Sequence, residues 1–284
     1  MLANFVPGLK NLLNRGSAGW MTLIGIVIVS SMVIMTLIGP WITPYDPVAQ
    51  VGPRLAPPSN EFPLGTTRLR EDMLSRILTG GAIMLQVAAL SALICFALGV
   101  PIGLFSSYVG GITDKIFSLV MDSIYAFPGL VLAIAIAAML GRGTFSMALA
   151  ISVVYIPSYF RIVRSQVLTI KELPYIDAAK AAGCKWHTIL FTHILPNVIP
   201  SIVVVSTVNF ADAILTAAGL TFVGLGVEVD VPDWGRDLTS GRQVLASGAW
   251  WVIAFPGLMI ILLSLGFTLI GEGLSELTSP KLKE

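Results

Sequence analysis

Charged residues are scarce in this sequence. Of its 284 residues, 12% are Asp, Glu, Lys or Arg and 55% are apolar, and the mean hydropathy is +0.86. A soluble domain of this length needs more charged side chains to cover its surface. The net charge of +1 also argues against the basic surface on which nucleic-acid binding depends. The sequence therefore predicts a polytopic membrane protein, surrounded by membrane lipid and without a nucleic-acid partner.

Cysteine and histidine are equally rare, with two of each. Cys95 falls in an apolar segment and Cys184 in a polar one, so we expect neither a disulfide nor a thiol metal site. His187 and His193 are six residues apart, which places them poorly for sharing one helix face. The segment GGITDK (110–115) lacks the second glycine of a phosphate-binding loop. We therefore expect no catalytic residues, no metal site and no cofactor bound by this chain.

Long apolar runs, by contrast, are abundant. A membrane-spanning helix needs about 20 apolar residues, and six segments meet this requirement: 20–41, 82–107, 116–140, 144–165, 197–225 and 249–272. The uncharged run 77–112 is longer than one crossing, so a surface-lying or re-entrant portion is expected within it. The first apolar run follows Lys10 and Arg15 without a convincing cleavage site, which predicts a signal anchor that stays in the membrane.

Six crossings place both termini on one side of the membrane. If that side is the cytoplasm, it carries ten Lys and Arg residues and the outside carries seven. This excess favours cytoplasmic N- and C-termini. We predict two units, an anchor helix with an outer segment (1–80) and the transmembrane domain (81–284). The second unit has a cytoplasmic loop at about 170–195 and an outer loop at about 226–248.

Two shorter patterns predict local packing. In the outer segment, TRLREDMLSRIL carries an apolar stripe of Leu69, Met73, Leu74 and Ile77, which predicts an amphipathic helix on the outer membrane surface. Gly99 and Gly103 form a small-residue face that allows another helix to approach closely. Packing within this chain is the favoured interpretation of that face.

The stretch 175–197, YIDAAKAAGCKWHTILFTHILPN, is unusually polar for this chain and is cytoplasmic on this topology. Pro174 suits the first position of a helix, Asp177 suits its first turn, and Gly183 suits the left-handed residue that ends it. Its four alanines leave the helix with little side-chain bulk. Such a helix can receive another protein closely, or it can simply return the chain to the membrane, and the residues leave both interpretations open.

The same stretch resembles the EAA loop of ABC-importer permeases, in which E-A-A-x-x-x-G is followed by I-x-L-P-type residues. The matching residues here are Asp177, Ala178, Ala179, Gly183, Ile194, Leu195 and Pro196. The resemblance implies that the short helix is a coupling helix seated in a groove of a cytoplasmic ATPase subunit. Asp177 stands in place of Glu, which keeps the charge and shortens its reach by one methylene.

The resemblance extends over nearly the whole chain. Segments 63–81, 108–136, 193–197, 222–235 and 255–276 look, in this order, like the C-type permease of dipeptide, oligopeptide and nickel importers. This implies an all-α, type I ABC importer permease in a bacterial or archaeal plasma (inner) membrane. It also implies half of a translocation pathway for di- or oligopeptides. The chain itself is then no enzyme, and ATP and magnesium bind to its partners.

The resemblance also implies the partners. They are a second, homologous permease subunit, two cytoplasmic ATPase subunits and an extracytoplasmic substrate-binding protein. Within the family, nickel or another small solute is the alternative to peptides, although the few histidines and acids in the membrane segments favour peptides. A secondary transporter without an ATPase is the alternative from another class.

Four residues are singled out beyond the loop. Asp122 and Asp212 lie in apolar segments, where an unpaired acid costs a few kcal/mol, and both are expected near the translocation pathway. A structural or gating role is favoured for Asp122. Asp212 either lines the pathway or forms a helix–helix hydrogen bond. Trp234 and Gly235, in the outer loop, either contact the binding protein or pack within their own loop.

Some positions depart from the family pattern. Relatives usually read L-G-T-D-x-x-G-R-D where this chain has Thr67, Arg70 and Glu71, and they usually carry an acid where it has Ala217. Because of these departures, the resemblance defines the transport machinery more closely than it defines the substrate.

Overall fold

The computed structural model describes residues 16–226 and 231–278, and these ranges contain helices and no β-strand. The helices of seven or more residues in them are α1 (Ser17–Ile42), α2 (Met73–Thr79), α3 (Gly81–Val109), α4 (Gly111–Tyr125), α5 (Gly129–Leu140), α6 (Thr144–Ile170), α7 (Pro174–Ala181), α8 (Leu195–Phe222), α9 (Trp234–Val244) and α10 (Trp251–Thr278). A helical turn (Trp186–Thr188) and a π-helix (Ile189–Ile194) lead into α8, and a 3-10 turn (Leu245–Ser247) follows α9. The predicted all-α fold is confirmed.

The predicted third crossing is a broken helix. In the described ranges, five helical segments are long and apolar enough to cross a membrane, and α4 and α5 pass the same test only when taken together. The axes of α4 and α5 meet at 90°. The break falls at Pro128, which disfavours helical geometry at the preceding Phe127. With 12 residues, α5 is about 18 Å long, shorter than the hydrocarbon core of about 30 Å.

The uncharged run 77–112 is occupied mainly by one long helix. Residues 77–79 of this run form the end of α2, and Gly80 lies at the junction. Helix α3 then runs for 29 residues to Val109. A helix of that length spans about 44 Å, enough to cross the hydrocarbon core and extend beyond it. The surface-lying or re-entrant portion expected here is therefore replaced by an over-long helix, and the sharp break lies at α4–α5 instead.

Glycines set the distance between α3 and α6. A Cβ atom on Gly99 would lie 2.8 Å from the Cβ of Tyr159, and one on Gly103 would lie 3.0 Å from the Cβ of Val163. No larger residue fits at either position without moving the neighbouring helix. The small-residue face therefore serves packing within this chain, as predicted.

Helix α1 packs mainly against α10. Gly25 of α1 lies against the backbone of Gly266 and Ile270 in α10, and Gly273 of α10 lies against Thr22 of α1. Most of the other α1 side chains are exposed or half-buried. Small residues therefore bring α1 and α10 close together, as is usual between helices in membranes.

The helix predicted in the outer segment is shorter than expected and faces the protein. It begins at Met73 because Asp72 caps it, its carboxylate accepting a hydrogen bond from the backbone N–H of Ser75 at 2.8 Å. Met73 and Ile77 are buried in the main hydrophobic core, whereas Leu69 is exposed and precedes the helix. Met73 and Ile77 of the apolar stripe thus pack inside the chain instead of lying on the membrane surface. The division of the chain at residue 80 stays a prediction.

A second hydrophobic cluster lies where the long helices meet the loop after α6. It contains Val167 from α6, Ile176 from α7, and Ile189 and Ile194 from the π-helix, all of them buried. This cluster anchors the loop to the ends of the membrane helices.

Candidate functional site: coupling loop and polar cavities

Helix α7 lies on the surface, with one side packed against the second hydrophobic cluster. Pro174 occupies its first turn and Asp177 lies beside it, where a carboxylate favours the positive end of the helix. Ile176 is completely buried in the second cluster. Asp177 is exposed, and its carboxylate accepts a hydrogen bond from the Lys180 ammonium at 3.0 Å. The buried side of α7 thus holds the helix in place, while its other face stays exposed.

The C-terminus of α7 is a Schellman motif. Gly183 has φ +78°, the left-handed conformation that favours glycine. The N–H of Cys184 donates to the carbonyl of Ala179 at 3.1 Å, and the N–H of Gly183 donates to the carbonyl of Lys180 at 3.0 Å. The predicted role of Gly183 in ending this helix is therefore confirmed.

The residues of the predicted coupling motif divide into two groups. Asp177, Ala178 and Gly183 are exposed around α7, and Pro196 is exposed in the first turn of α8. Ala179 and Leu195 are instead half-buried and pack against the second cluster. The surface available to a partner is thus formed by the first group, and a bulky side chain at Ala179 would disturb the loop itself.

Asp122 is paired. Its carboxylate contacts the Arg161 guanidinium at 2.7 Å, and this guanidinium also lies 4.1 Å from the centre of the Tyr125 ring. The pair joins α4 to α6, which agrees with the structural role favoured for Asp122. A second ion pair joins the same helices and was not predicted from the sequence. Arg164 donates to both carboxylate oxygens of Asp114, at 2.8 and 2.6 Å.

Asp212 lines a cavity of about 290 Å³ between α5, α6 and α8. Tyr155, Ser158 and Asn209 line it as well, and aromatic residues at the α4–α5 break close one side. In the part of the chain that the structure describes, the Asp212 carboxylate has neither an ion-pair partner nor a hydrogen-bond donor. The helix–helix hydrogen bond considered for it is therefore not formed here, whereas its place on the translocation pathway stays a prediction.

A second cavity of about 650 Å³ continues from the first one. Ser158 and Asn209 line both cavities, and the second extends past Gln166 and Asn197 towards the end of α10 at Thr278. Asn197 is the last residue of the stretch 175–197, and its amide donates to the carbonyl of His193 in that stretch at 2.7 Å. Polar residues therefore follow one side of α8 from the coupling loop to Asp212. The sequence did not predict the cavities, because the residues that line the second one come from α6, α8 and α10.

Trp234 and Gly235 are not placed to receive a binding protein. Trp234 is completely buried, and its indole ring lies over the backbone of Gly80 and Gly81. Gly235 is buried against Ala218 of α8. The docking role considered for these two residues is thus corrected to packing within the chain, with α9 held against α2, α3 and α8.

A buried charge cluster supports the same packing. The Arg76 guanidinium contacts the carboxylates of Glu71 and Asp237, each at 2.8 Å, and donates to the Pro47 carbonyl at 3.1 Å. All three charged residues are buried. Charges of opposite sign at this depth stabilise each other, and removing one leaves the others uncompensated. The cluster therefore ties the outer segment to α9.

Asp233 caps α9 at the edge of this cluster. Its carboxylate accepts a hydrogen bond from the backbone N–H of Arg236 at 2.9 Å, while its second oxygen is buried and has no partner among the described residues. Burial, and to a smaller extent the neighbouring charge of Asp237, raises the pKa of Asp233 to about 6.

The departures from the family pattern have local explanations. Thr67 donates a hydrogen bond to the Glu71 carboxylate at 2.8 Å, so this pair belongs to the buried charge cluster. Arg70 has φ +70°, a conformation that glycine adopts more easily, and its guanidinium donates to the Gly52 carbonyl at 2.9 Å. Ala217 is completely buried in the main core, so a charged side chain there would need a new partner.

Comparison with known families defines the class of this protein. Residues 99–284 match the family described as binding-protein-dependent transport system inner membrane component, and residues 20–58 match the N-terminal TM domain of oligopeptide transport permease C. The chain belongs to the binding-protein-dependent inner membrane component family. It is a multi-pass permease subunit of the ABC importer type, and by family it is not itself catalytic.

Several curated proteins are similar over most of their length. The chain is 38% identical to the dipeptide transport system permease protein DppC of Alkalihalophilus pseudofirmus, covering 93% of this chain and 86% of that protein. It is 37% identical to the probable D,D-dipeptide transport system permease protein DdpC of Escherichia coli, covering 92% and 88%. It is 40% identical to the glutathione transport system permease protein GsiD of Pectobacterium atrosepticum, covering 80% and 75%.

A solved structure confirms the fold. An inward-facing conformation of the MetNI methionine ABC transporter contains a chain that aligns with a TM-score of 0.56 and 19% identity. The alignment covers 73% of this chain and 98% of that one. The predicted type I importer permease fold is therefore confirmed.

Proposed function

We propose that this chain is one of two permease subunits of an ATP-driven importer of di- or oligopeptides. In this proposal two cytoplasmic ATPase subunits bind ATP and magnesium, and α7 transmits their movement to the membrane helices. An extracytoplasmic binding protein delivers the peptide. The similarity to permeases named for dipeptide and glutathione transport, over most of the chain, is the observation that carries the choice of substrate.

The geometry of α7 supports the coupling role. A docking helix must be firmly fixed at its base and open on its outer face, and α7 has a buried Ile176 beneath an exposed face of Asp177 and Ala178. The second hydrophobic cluster connects this base to α3, α6 and α8. Movement of α7 would therefore be transmitted by direct side-chain contacts to α6 and α8, which line the two polar cavities.

The proposal is tested by purifying this chain, solubilised mildly from its native membrane, and identifying the accompanying proteins by mass spectrometry. A second permease and ATPase subunits are expected. In Ala178→Trp, the bulky ring should release the ATPase subunits while the second permease is retained. Ala246→Trp is the matched control, because Ala246 is exposed in the 3-10 turn after α9 and lies outside the coupling loop. Ala178→Trp with full ATPase recovery would contradict the coupling role.

The substrate is tested separately with the co-purified binding protein. Dipeptides and tripeptides should bind to it and be taken up with ATP hydrolysis by the reconstituted complex. Binding of nickel in place of peptides would retain the importer and overturn the peptide assignment. Purification of the chain alone, under conditions in which related complexes stay intact, would contradict the importer itself.

A further inference from the structure

The cavity at Asp212 has the chemistry of a cation site. Asp212 is the only charged residue that lines either polar cavity within residues 16–226 and 231–278. An acid among apolar helices is unfavourable unless it is paired or hydrated, and the described residues provide no cation for it. Asp122 is different, because Arg161 already neutralises it. Asp212 is therefore free to bind a positive group that enters the cavity.

A hydrogen-bond donor lies one turn away on the same face of α8. Asn209 is 7% exposed, and its side-chain nitrogen is buried without a partner among the described residues. Its oxygen accepts a hydrogen bond from Ser158 at 3.3 Å, which leaves the nitrogen to donate. Residues three apart on a helix have Cβ atoms about 5–6 Å from each other. Asn209 and Asp212 line the same cavity, and the unpaired Asn209 nitrogen can donate to a bound group once a small turn of its side chain exposes it.

The surroundings favour an organic ammonium over a metal ion. Tyr155 lines the cavity together with Asp212, and aromatic rings attract ammonium groups. The Tyr125 ring, which also lines the cavity, already carries the Arg161 guanidinium on one face. The Tyr155 hydroxyl is already bonded to Thr216 at 3.0 Å, so it does not compete for the carboxylate. A divalent metal usually needs several oxygen or nitrogen ligands, whereas one carboxylate is present here.

We propose that this cavity binds the amino terminus of the transported solute. The Asp212 carboxylate holds the primary ammonium, and the Asn209 amide donates to the carbonyl of the same residue. In an α-amino acyl unit these two groups are about 3 Å apart, which suits a donor and an acceptor on adjacent positions of one helix face. This inference rests on the proposed import of peptides and adds the feature of the peptide that the membrane subunit recognises.

The test measures ligand-induced thermal stabilisation of the purified complex without its binding protein. The probes are Ala-Ala, Ala-Ala amide and N-acetyl-Ala-Ala, which differ in one charged end at a time. Ala-Ala and its amide are expected to raise the unfolding temperature of the native complex, whereas the acetylated peptide is not. Asp212→Asn should weaken the apparent affinity for Ala-Ala by about tenfold or more, because the ammonium then lacks its counter-charge.

Two further variants keep the test independent of folding. Asp212→Glu retains the charge and should retain the preference for a free amino terminus. Glu272→Gln removes an exposed acid from α10 that lines neither cavity, and it should behave as the native complex does. Equal stabilisation by the acetylated peptide, no stabilisation of the native complex, or an unchanged affinity in Asp212→Asn would each overturn the inference. Stabilisation by nickel chloride that depends on Asp212 would replace the ammonium by a metal ion.

Uptake by the same complexes separates this inference from the proposed function. ATP-dependent uptake of Ala-Ala is measured in proteoliposomes supplied with the binding protein. Native complexes that take up no peptide would overturn the proposed function. Native complexes that take it up, together with an Asp212→Asn variant of unchanged KM and kcat, would overturn the amino-terminus site alone.

Discussion

The indole nitrogen of Trp234 donates a hydrogen bond to the carbonyl oxygen of Ile77 at 3.1 Å, which joins residues 157 positions apart. The donor lies at the start of α9 and the acceptor in α2, so one bond connects the two outer elements of the chain. The ring also covers the junction between α2 and α3. Helix α9 is therefore packed directly against α2 and the start of α3.

Replacement of Trp234 should reduce stability. Trp234→Ala empties a completely buried site, and we expect it to lower the free energy of unfolding by about 3–5 kcal/mol. Trp234→Phe loses the hydrogen bond and leaves the Ile77 carbonyl unpaired, with an expected cost of about 1–3 kcal/mol. Thermal unfolding of the purified protein in detergent measures both. Trp250→Phe is the control, because Trp250 is 53% exposed. Normal stability with reduced binding-protein capture in Trp234→Phe would restore the docking role.

Loss of Arg76 should be as damaging. Arg76→Met leaves two buried carboxylates without their cation, and the expected cost is about 3–5 kcal/mol. Adding Glu71→Gln and Asp237→Leu removes the stranded charges and should recover much of that loss. Arg54→Met is the matched control, since Arg54 is exposed in the same outer segment. A triple variant less stable than Arg76→Met would show that the cluster does not act as one electrostatic unit.

The stability contribution of Asp233 should depend on pH. Its pKa in the folded protein is about 6, above the ordinary value of 3.8, so the folded state binds the proton more tightly than the unfolded state. The ionised carboxylate therefore destabilises the fold. This cost is absent below about pH 4, grows as the pH rises through the folded pKa, and is complete above it, where it is on the order of 3 kcal/mol.

Asp233→Asn tests this behaviour, because it keeps an oxygen for the cap and removes the charge. Its unfolding temperature relative to the native protein should rise between pH 4 and pH 7, with a constant offset from the buried amide. The native and variant proteins are compared in parallel, so titration of other groups cancels. A difference that is flat over this range would contradict the raised pKa.

The two ion pairs between α4 and α6 should contribute unequally. Arg164 binds the largely buried Asp114 through two bonds, whereas Arg161 and Asp122 are both substantially exposed. We expect Arg164→Gln to cost about 1–2 kcal/mol and Arg161→Gln less than about 1 kcal/mol. Unfolding temperatures at low and high salt measure the difference. Partial recovery in the reversed pair Asp114→Arg with Arg164→Asp would assign the effect to pairing, and a larger loss in Arg161→Gln would contradict it.

The features of α7 could be predicted because they are local. Pro174, Asp177 and Gly183 act within a few residues of themselves, and each takes the position that helix-end rules require. The six apolar segments were recognisable for the same reason, since span length is a property of consecutive residues. The break at Pro128 was not predicted, because the apolar composition continues on both sides of it.

Contacts between distant segments could not be predicted. Arg76 and Asp237 are 161 residues apart, and their sequence neighbourhoods show two ordinary outer charges. Asp212 was recognised as an unusual acid, but the donor and the rings around it come from other turns and helices. Burial of Trp234 depends on Gly80 and Gly81, because side chains at those positions would clash with its ring. The sequence does not show that α9 packs against these two glycines.

The glycine contact between α1 and α10 has a consequence for biosynthesis. Gly25 meets Gly266 and Ile270, which lie almost at the other end of the chain. At a synthesis rate of roughly 5–20 residues per second, roughly ten to fifty seconds pass between the appearance of the two surfaces at the ribosome. During that interval α1 can pack only against the segments that follow it closely, through Gly39 beside Leu78 of α2 and Thr36 beside Gly81 of α3. The contact between α1 and α10 can form only after α10 has been synthesised, so α1 completes its packing long after its own synthesis.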